Sequence, residues 1–283
     1  MSAGDKFAGG LAVITGAGSG IGAALARRAA TLGMRVVLAD IDEAGAEAVA
    51  QSLRENGGTA QALRLDVSQA SELDRLAAHV SEHHGPVRLL VNNAGIETLG
   101  YVWEITPERW EQTLRVNLHG VIHSVRAFVP TMLASGEECW IANVASIAAL
   151  GQMPTQTPYM ATKHAVQAFS ECLYLEMQSK GAPIHVSSVL PAWVKSAIFD
   201  EDAAAGETAF GTRQREVMRA GMAAQGMEPD DAAALILDGI AAGDFWVSTH
   251  PEITQAMACA RAAFLEALDA PQLSPEAKAI LDS

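Results

Sequence analysis

Thr15-Gly16-Ala17-Gly18-Ser19-Gly20-Ile21-Gly22 is the stretch on which the fold turns. It follows a short apolar run, 11–15, with strand character, and leads into the alanine-rich segment 21–32, whose apolar residues recur at helical spacing. A glycine string between a strand and a helix has a physical purpose. Gly16, Gly20 and Gly22 permit a tight turn, close backbone approach to a bound pyrophosphate and close helix–strand contact. The start of the following helix adds free N–H groups and the positive end of its dipole, both favourable to phosphate.

Outward from this turn, apolar β-branched runs alternate with amphipathic alanine-rich segments, the pattern of a parallel sheet covered by helices. The expected strands are 11–15, 35–40, 60–65, 87–92, 139–146, 184–190 and 245–249, their near-continuous apolar character fitting burial on both faces. The expected helices are 21–32, 43–56, 70–84, 107–134, 159–180 and 230–241, with Thr106 as N-cap and Pro107 as first residue of the fourth. This predicts an α/β fold: a Rossmann-type three-layer sandwich, a doubly wound parallel sheet of about seven strands with helices on both faces. Over 197–227 the periodicity weakens and Gly206, Gly211, Gly221 and Gly226 accumulate, which reads as a mobile lid over the substrate. The segment 251–283 reads as a helical C-terminal extension, and residues 1–283 as one dinucleotide-binding catalytic domain.

Composition narrows the partners. A formal net charge of −14 and an isoelectric point near 4.9 argue against nucleic acid and anionic membrane surfaces. No apolar run is long enough to span a bilayer, and the N-terminus lacks a signal-peptide pattern, so a cytoplasmic protein is expected. Cys139, Cys172 and Cys259 are widely spaced and read as buried small hydrophobes in a reducing compartment. The histidines show no metal-ligand spacing, and His83-His84 reads as a helix end.

Two features carry chemistry. Asp40 closes the second strand, where a βαβ unit brings a carboxylate to the ribose of a bound dinucleotide. Such a carboxylate accepts from the 2′-hydroxyl and repels a 2′-phosphate. No lysine or arginine lies in the glycine turn or directly after Asp40, so NAD is expected rather than NADP. Tyr159 and Lys163 lie one helical turn apart on the same face. A fixed ammonium beside a phenol favours the phenolate, so the tyrosine pKa is expected to fall toward neutrality and to suit proton transfer.

With these residues in place, the chain resembles the short-chain dehydrogenase/reductase family, in its compact branch, over about residues 8–250. The resemblance is carried in order by the turn at 15–22, Asp66-Val67 after the third strand, Asn92-Asn93-Ala94-Gly95 after the fourth, Asn117 within Val116-Asn117-Leu118, Ser146 after the fifth, then Tyr159 and Lys163. One departure stands out. The family has Pro-Gly after the sixth strand, whereas this chain has Pro191-Ala192-Trp193-Val194-Lys195-Ser196. If the second position needs positive φ, alanine there is strained.

The resemblance implies an NAD-dependent oxidoreductase that interconverts a secondary alcohol and a ketone by hydride transfer. Tyr159 would be the general acid/base, Ser146 would hydrogen-bond the substrate oxygen, Lys163 would lower the tyrosine pKa and bond the nicotinamide ribose, and Asn117 would hold a water of a proton relay. It places the cofactor against Gly16, Ser19, Gly20, Ile21, Gly22, Asp40, Ile41, Asp66, Val67, Asn93, Ala94, Gly95, Tyr159, Lys163, Pro191, Val194 and Ser196. It also implies a homo-tetramer or homodimer formed through the helices at 107–134 and 159–180. Val121, Val125, Phe128, Val166, Phe169 and Leu173 read as more apolar surface than one stripe against the sheet needs.

Substrate contacts are expected from Ile96, Leu99, Ile147, Leu150, Met153, Trp193, Ile198 and Phe199, with Phe210, Val217, Met218 and Met222 farther along. An apolar, methionine-rich lining suits a bulky hydrophobic alcohol or ketone, aryl, alicyclic or steroid-like. Arg213, Arg215 and Arg219 fit either a carboxylate clamp or a solvated helix face, and Glu97 either a substrate contact or a water-facing position, which keeps a small polar 3-hydroxy acid or acyl substrate open. Two other classes are weighed. A non-catalytic NAD-binding regulator is expected to lack one of the four catalytic positions, all of which are present. A nucleotide-sugar epimerase or dehydratase is expected to have a differently spaced turn and a larger C-terminal domain.

Overall fold

The computed structural model describes residues 2–200, 207–273 and 275–282. Its centre is a seven-stranded sheet, all parallel, in the order β3-β2-β1-β4-β5-β6-β7. The strands are β1 Leu11–Thr15, β2 Arg35–Asp40, β3 Ala60–Arg64, β4 Leu89–Asn92, β5 Cys139–Val144, β6 Ile184–Leu190 and β7 Trp246–Ser248. The helices are α1 Ala3–Phe7, α2 Gly20–Thr31, α3 Glu43–Glu55, α4 Ala70–His83, α5 Pro107–Leu114, α6 Gly120–Ser135, α7 Thr157–Lys180, α8 Ala209–Gln225, α9 Pro229–Ala242, α10 Pro251–Ala267 and α11 Pro275–Asp282. The expected doubly wound α/β architecture is what forms.

Period-two alternation assigns the two faces of the sheet. Ala12 and Ile14 of β1 join a core with α2, α3 and α9, while Leu11 and Val13 join the opposite core with α4, α6 and α7. Every residue of β1, β4 and β5 is buried, which explains their lack of polar alternation. The strand order reverses between β1 and β4. The carboxyl ends of these strands diverge there and leave a crevice, the usual binding place of open α/β sheets.

The segment expected as one helix over 107–134 is two helices joined by a π-helical turn, Arg115–His119, with Asn117 fully buried inside it. Single π turns of this kind are frequent at functional sites. Four further expectations are corrected. Val121, Val125, Phe128, Val166 and Leu173 are buried within the chain itself, so they supply no surplus surface for a second copy. Cys139 is buried, but Cys172 and Cys259 are exposed. Ala192 is not among the positive-φ residues, so it carries no left-handed strain. Within 197–227, α8 is a 17-residue helix capped by Thr208, whose side chain accepts from Gly211 N. The glycines expected as hinges are close-packing positions instead: a Cβ on Gly211 would meet Leu99 O at 2.8 Å, and one on Gly226 would meet Met222 O at 2.4 Å. Gly206 lies outside the described residues.

Candidate active site

A cavity of about 680 Å³ opens at the carboxyl ends of the strands. One end is built by the glycine turn. Gly16 and Gly20 have φ of 65° and 51°, the left-handed region that glycine enters without steric cost. At Gly22 the reason is contact: a Cβ there would sit 1.9 Å from Gly16 O. Ser19 caps α2 with no side-chain cap hydrogen bond, and its side chain lines the cavity beside the helix start. Asp40 braces this end. Its Oδ2 accepts from Gly18 N at 2.8 Å and its Oδ1 from Asp42 N at 2.9 Å.

The turn is tied to β4 across the switch point. Thr15 Oγ1 accepts from Asn93 N at 3.0 Å and Ala94 N at 3.2 Å, while Asn93 Nδ2 donates to Thr15 O and Gly16 O, both at 3.0 Å. The loop Asn93-Ala94-Gly95 and the glycine turn therefore form one rigid floor. Lys163 is the single lysine or arginine among the described residues lining the cavity, and it stands at the opposite end from Asp40. These groups fit a dinucleotide: a helix start for phosphate, a carboxylate for ribose, and a backbone cradle that side chains would fill.

The other end holds the expected catalytic residues. Ser146 follows β5 and caps a short 3₁₀ turn, Ile147–Leu150, its Oγ accepting from Ala148 N at 3.1 Å. Tyr159 and Lys163 project from the first turns of α7 into the same space. Lys163 is buried, and its Nζ donates to Val144 O at 2.8 Å and lies 5.5 Å from the centre of the Tyr159 ring. Asn117 Oδ1 accepts from Ile96 N at 2.8 Å, and Nδ2 donates to Ile96 O at 2.9 Å and Thr162 Oγ1 at 3.2 Å. Both amide hydrogens of Asn117 are thereby used to pin the loop at Ile96 against α7.

The expected fall of the tyrosine pKa does not occur in the protein alone. Burial pushes Tyr159 up, the nearby Glu97 carboxylate adds to the rise, and the hydrogen bond with the Ser146 side chain opposes it. Burial also pushes Lys163 down to about 8, against the pull of Glu97. A buried ammonium and a buried phenol both retreat toward their neutral forms, and that desolvation outweighs the mutual effect expected from spacing alone.

Of the positions expected to meet cofactor, Gly16, Ser19, Gly20, Ile21, Asp40, Ile41, Asp66, Val67, Asn93, Ala94, Gly95, Pro191, Val194 and Ser196 line this cavity with Tyr159, Lys163 and Ser146. Gly22 and Asn117 do not; they pack behind it. On the substrate side Ile96, Ile147, Met153, Trp193, Ile198, Phe199, Met218 and Met222 line the wall, and Leu99, Leu150, Phe210 and Val217 do not. Leu99 packs with Phe199 and Met222 behind the wall, and Phe210 stacks on Tyr101.

Sequence reasoning missed two components. Met257 of α10 reaches back to the wall beside Gly151, so the C-terminal extension contributes to the site. No periodicity in α10 signals this, because the helix has no buried residue. The second is a buried charge cluster. Glu97 and Arg215 are each 2% exposed, and Arg215 forms its ion pair with Glu207. Arg215 is neither a substrate clamp nor on a solvated face, whereas Arg213 and Arg219 are exposed. Burial drives the Glu97 pKa well above the usual carboxylate range, opposed by its bond with Thr98 N and by the charges of Arg215 and Lys163.

Comparison with known proteins gives consistent findings. A short chain dehydrogenase family profile matches residues 10–206. The probable oxidoreductase EphD of Mycobacterium tuberculosis is 35% identical over 73% of this chain, but this chain spans only 34% of that relative's length. The 2,5-dichloro-2,5-cyclohexadiene-1,4-diol dehydrogenase LinX of Sphingobium indicum is 34% identical over 69% of this chain and 76% of its own. A crystal structure of a short chain dehydrogenase/reductase from Burkholderia phymatum in complex with NAD superposes with a TM-score of 0.90 at 35% identity, covering 94% of this chain and 98% of that one.

Proposed function

Given that the chain belongs to the short-chain dehydrogenase family, we propose that it is an NAD-dependent dehydrogenase interconverting a bulky, ring-bearing secondary alcohol and its ketone. The convergence of Tyr159, Ser146 and Lys163 on one end of a cavity whose other end is the glycine turn and Asp40 carries this reading. Bound nicotinamide supplies or accepts the hydride. The protein's part is proton and charge control at the substrate oxygen. Ser146 Oγ hydrogen-bonds that oxygen and stabilises the charge developing on it. Tyr159, held as a neutral phenol, gives its proton to the ketone in reduction; in oxidation it must first lose that proton, and Lys163, pushed down to about 8, is the adjacent group able to take part near neutral pH. Asn117 holds Ile96, and with it the loop after Gly95, in register with α7.

NAD is favoured because Asp40, held by Gly18 N and Asp42 N, would meet the adenosine ribose, and Lys163 is the single lysine or arginine lining the cavity among the described residues. The NAD complex of the Burkholderia phymatum relative supports the same choice. Apolar walls from Ile147, Met153, Trp193 and Phe199 support a hydrophobic substrate body, and LinX is named as a dehydrogenase of a ring compound. The helix α8 lends Met218 and Met222 to the wall, which supports its role as a cover, and one catalytic domain with a homo-tetramer or homodimer completes the proposal. Exposed Leu133 of α6 and Leu175 of α7 support self-association. The test is a spectrophotometric screen of aryl and alicyclic secondary alcohols with NAD and with NADP, together with light scattering. Absence of turnover on every alcohol and ketone of the panel would remove the catalytic reading, and a monomer would remove the oligomer.

A further inference from the structure

Glu97 is the group that the mechanism above does not use. It follows Ile96 on the loop after β4, is 2% exposed, and forms part of the cavity wall. A buried carboxyl normally answers a cation or several donors, since burying it alone is costly. Here it does neither. Two guanidiniums reach residue 97, but both choose its backbone carbonyl: Arg109 Nη2 donates to Glu97 O at 3.0 Å and Arg215 Nη2 at 3.2 Å. The ion pair of Arg215 is made with Glu207 instead. The side chain of Glu97 accepts one bond, from Thr98 N to Oε1 at 3.1 Å, a contact with its own chain neighbour. Its Oε2 has no hydrogen-bond partner among the described residues.

The cations therefore fix the backbone of residue 97, and the carboxyl is left facing the cavity. Glu97 follows Ile96, which Asn117 ties to Thr162 of α7, so it stands on the loop beside the helix that carries Tyr159 and Lys163. The same cavity is lined by Ile147, Met153, Trp193 and Phe199, which supply apolar surface on the substrate side. A ligand that fills this space meets hydrophobic surface together with a few polar side chains, Gln112, Gln152, Gln156 and the carboxyl of Glu97 among them. Specific pockets are built this way, with a few polar groups placed in an apolar lining to fix orientation.

We propose that Glu97 is a specificity residue whose carboxyl hydrogen-bonds a second hydroxyl of the substrate, so that the enzyme prefers ring-borne diols over the corresponding mono-alcohols. A hydroxyl both donates and accepts, so it satisfies the carboxyl in either protonation state. This rests on the alcohol dehydrogenase reading above and narrows its substrate class. A site with a buried polar group discriminates strongly against an analogue that leaves the group unpaired.

The test compares indanol with indanediol, and cyclohexanol with the cyclohexanediol isomers, using the full chain and NAD. The readout is the ratio of kcat/KM for each diol to that of its mono-alcohol. The unmutated protein should favour at least one diol by about tenfold or more. Glu97→Leu should lower that ratio about tenfold, chiefly through KM for the diol, and Glu97→Gln should retain part of it because an amide still bonds a hydroxyl. A ratio unchanged by Glu97→Leu overturns the proposal. If neither variant folds, the ratio in the unmutated protein decides alone: mono-alcohols used as well as every diol also overturn it. That result would leave the alcohol dehydrogenase reading standing, whereas failure to oxidise any alcohol of either kind would take both readings down.

Discussion

Lys163 Nζ donates to the carbonyl of Val144 at 2.8 Å and makes no hydrogen bond with the Tyr159 phenol. The lysine is thus anchored to the end of β5, the strand that also delivers Ser146, so that Lys163 and Ser146 share one support. Burial brings the Lys163 pKa down to about 8. Alcohol oxidation, which needs an acceptor for the released proton, should therefore quicken as pH rises through that value, and ketone reduction should slow. Initial rates in both directions between about pH 6 and 10 check this. Parallel profiles in the two directions, or no ionisation in that range, would remove Lys163 from the proton path.

Tyr159→Phe keeps the ring, and with it most of the packing, but removes the only phenolic proton at the reacting end. Turnover should fall by at least about a thousandfold while NADH binding changes little. Lys163→Met should weaken both cofactor binding and rate, because Lys163 lines the cavity as well as neighbouring the tyrosine. Fluorescence titration with NADH separates the two outcomes. A Tyr159→Phe protein with near-normal rates would show that another group transfers the proton.

The parts of this site visible in the sequence are those where local backbone geometry dictates residue type. Gly16, Gly20 and Gly22 are required by φ or by a contact within their own turn, so their spacing alone announces them. Asp40 is legible for a related reason: the length of one βα unit fixes where its carboxylate arrives. The choice by Arg215 of Glu97's carbonyl over its carboxylate depends on two segments 118 residues apart, brought together only by the fold. Helical spacing leaves Arg215 open between a carboxylate clamp and a solvated face because it reports which residues share a face, not what covers that face. The same limit produced the apparent surplus of Val121, Val125 and Phe128, which lie between the sheet and neighbouring helices. The direction of the tyrosine pKa is not legible in the sequence, which shows the neighbouring charge but not the desolvation.

Asp40→Ala should relax cofactor choice. It loses the ribose acceptor, weakening NAD, and removes the charge that repels a 2′-phosphate, helping NADP. It also releases Gly18 N and Asp42 N, so some loss with both cofactors is expected. The quantity to measure is the ratio of kcat/KM for NAD to that for NADP, which should fall about tenfold or more. Equal use of the two cofactors by the unmutated protein would show that Asp40 does not select.

Gly22→Ala tests the packing reason for the turn. A methyl placed 1.9 Å from Gly16 O cannot be accommodated by a side-chain shift, because the obstructing atom is backbone and the turn is held by Asn93. The substitution should abolish NAD binding or prevent folding, read by calorimetry and circular dichroism. Normal affinity in a folded Gly22→Ala protein would mean that the turn has another conformation.

Arg215 binds α8 to the body at two points, Ile198 O at 3.0 Å and Glu97 O at 3.2 Å, and pairs with Glu207 just ahead of the helix. Glu207 continues the chain of contacts, its Oε1 accepting from Leu99 N at 3.2 Å. Removing one member of a buried pair leaves the other uncompensated, so Arg215→Met should cost about 3–5 kcal/mol in urea unfolding. Adding Glu207→Gln should return part of that loss, since it removes the stranded charge. The same clasp bears on whether α8 covers the substrate. If the helix opens as a unit, Arg215→Met should raise hydrogen exchange across Ala209–Gln225 in the free protein, and NAD with a substrate analogue should suppress it. Additive losses in the double variant, together with exchange in α8 unchanged by either substitution or ligand, would show that the helix is fixed scaffold and that Arg215 contributes packing alone.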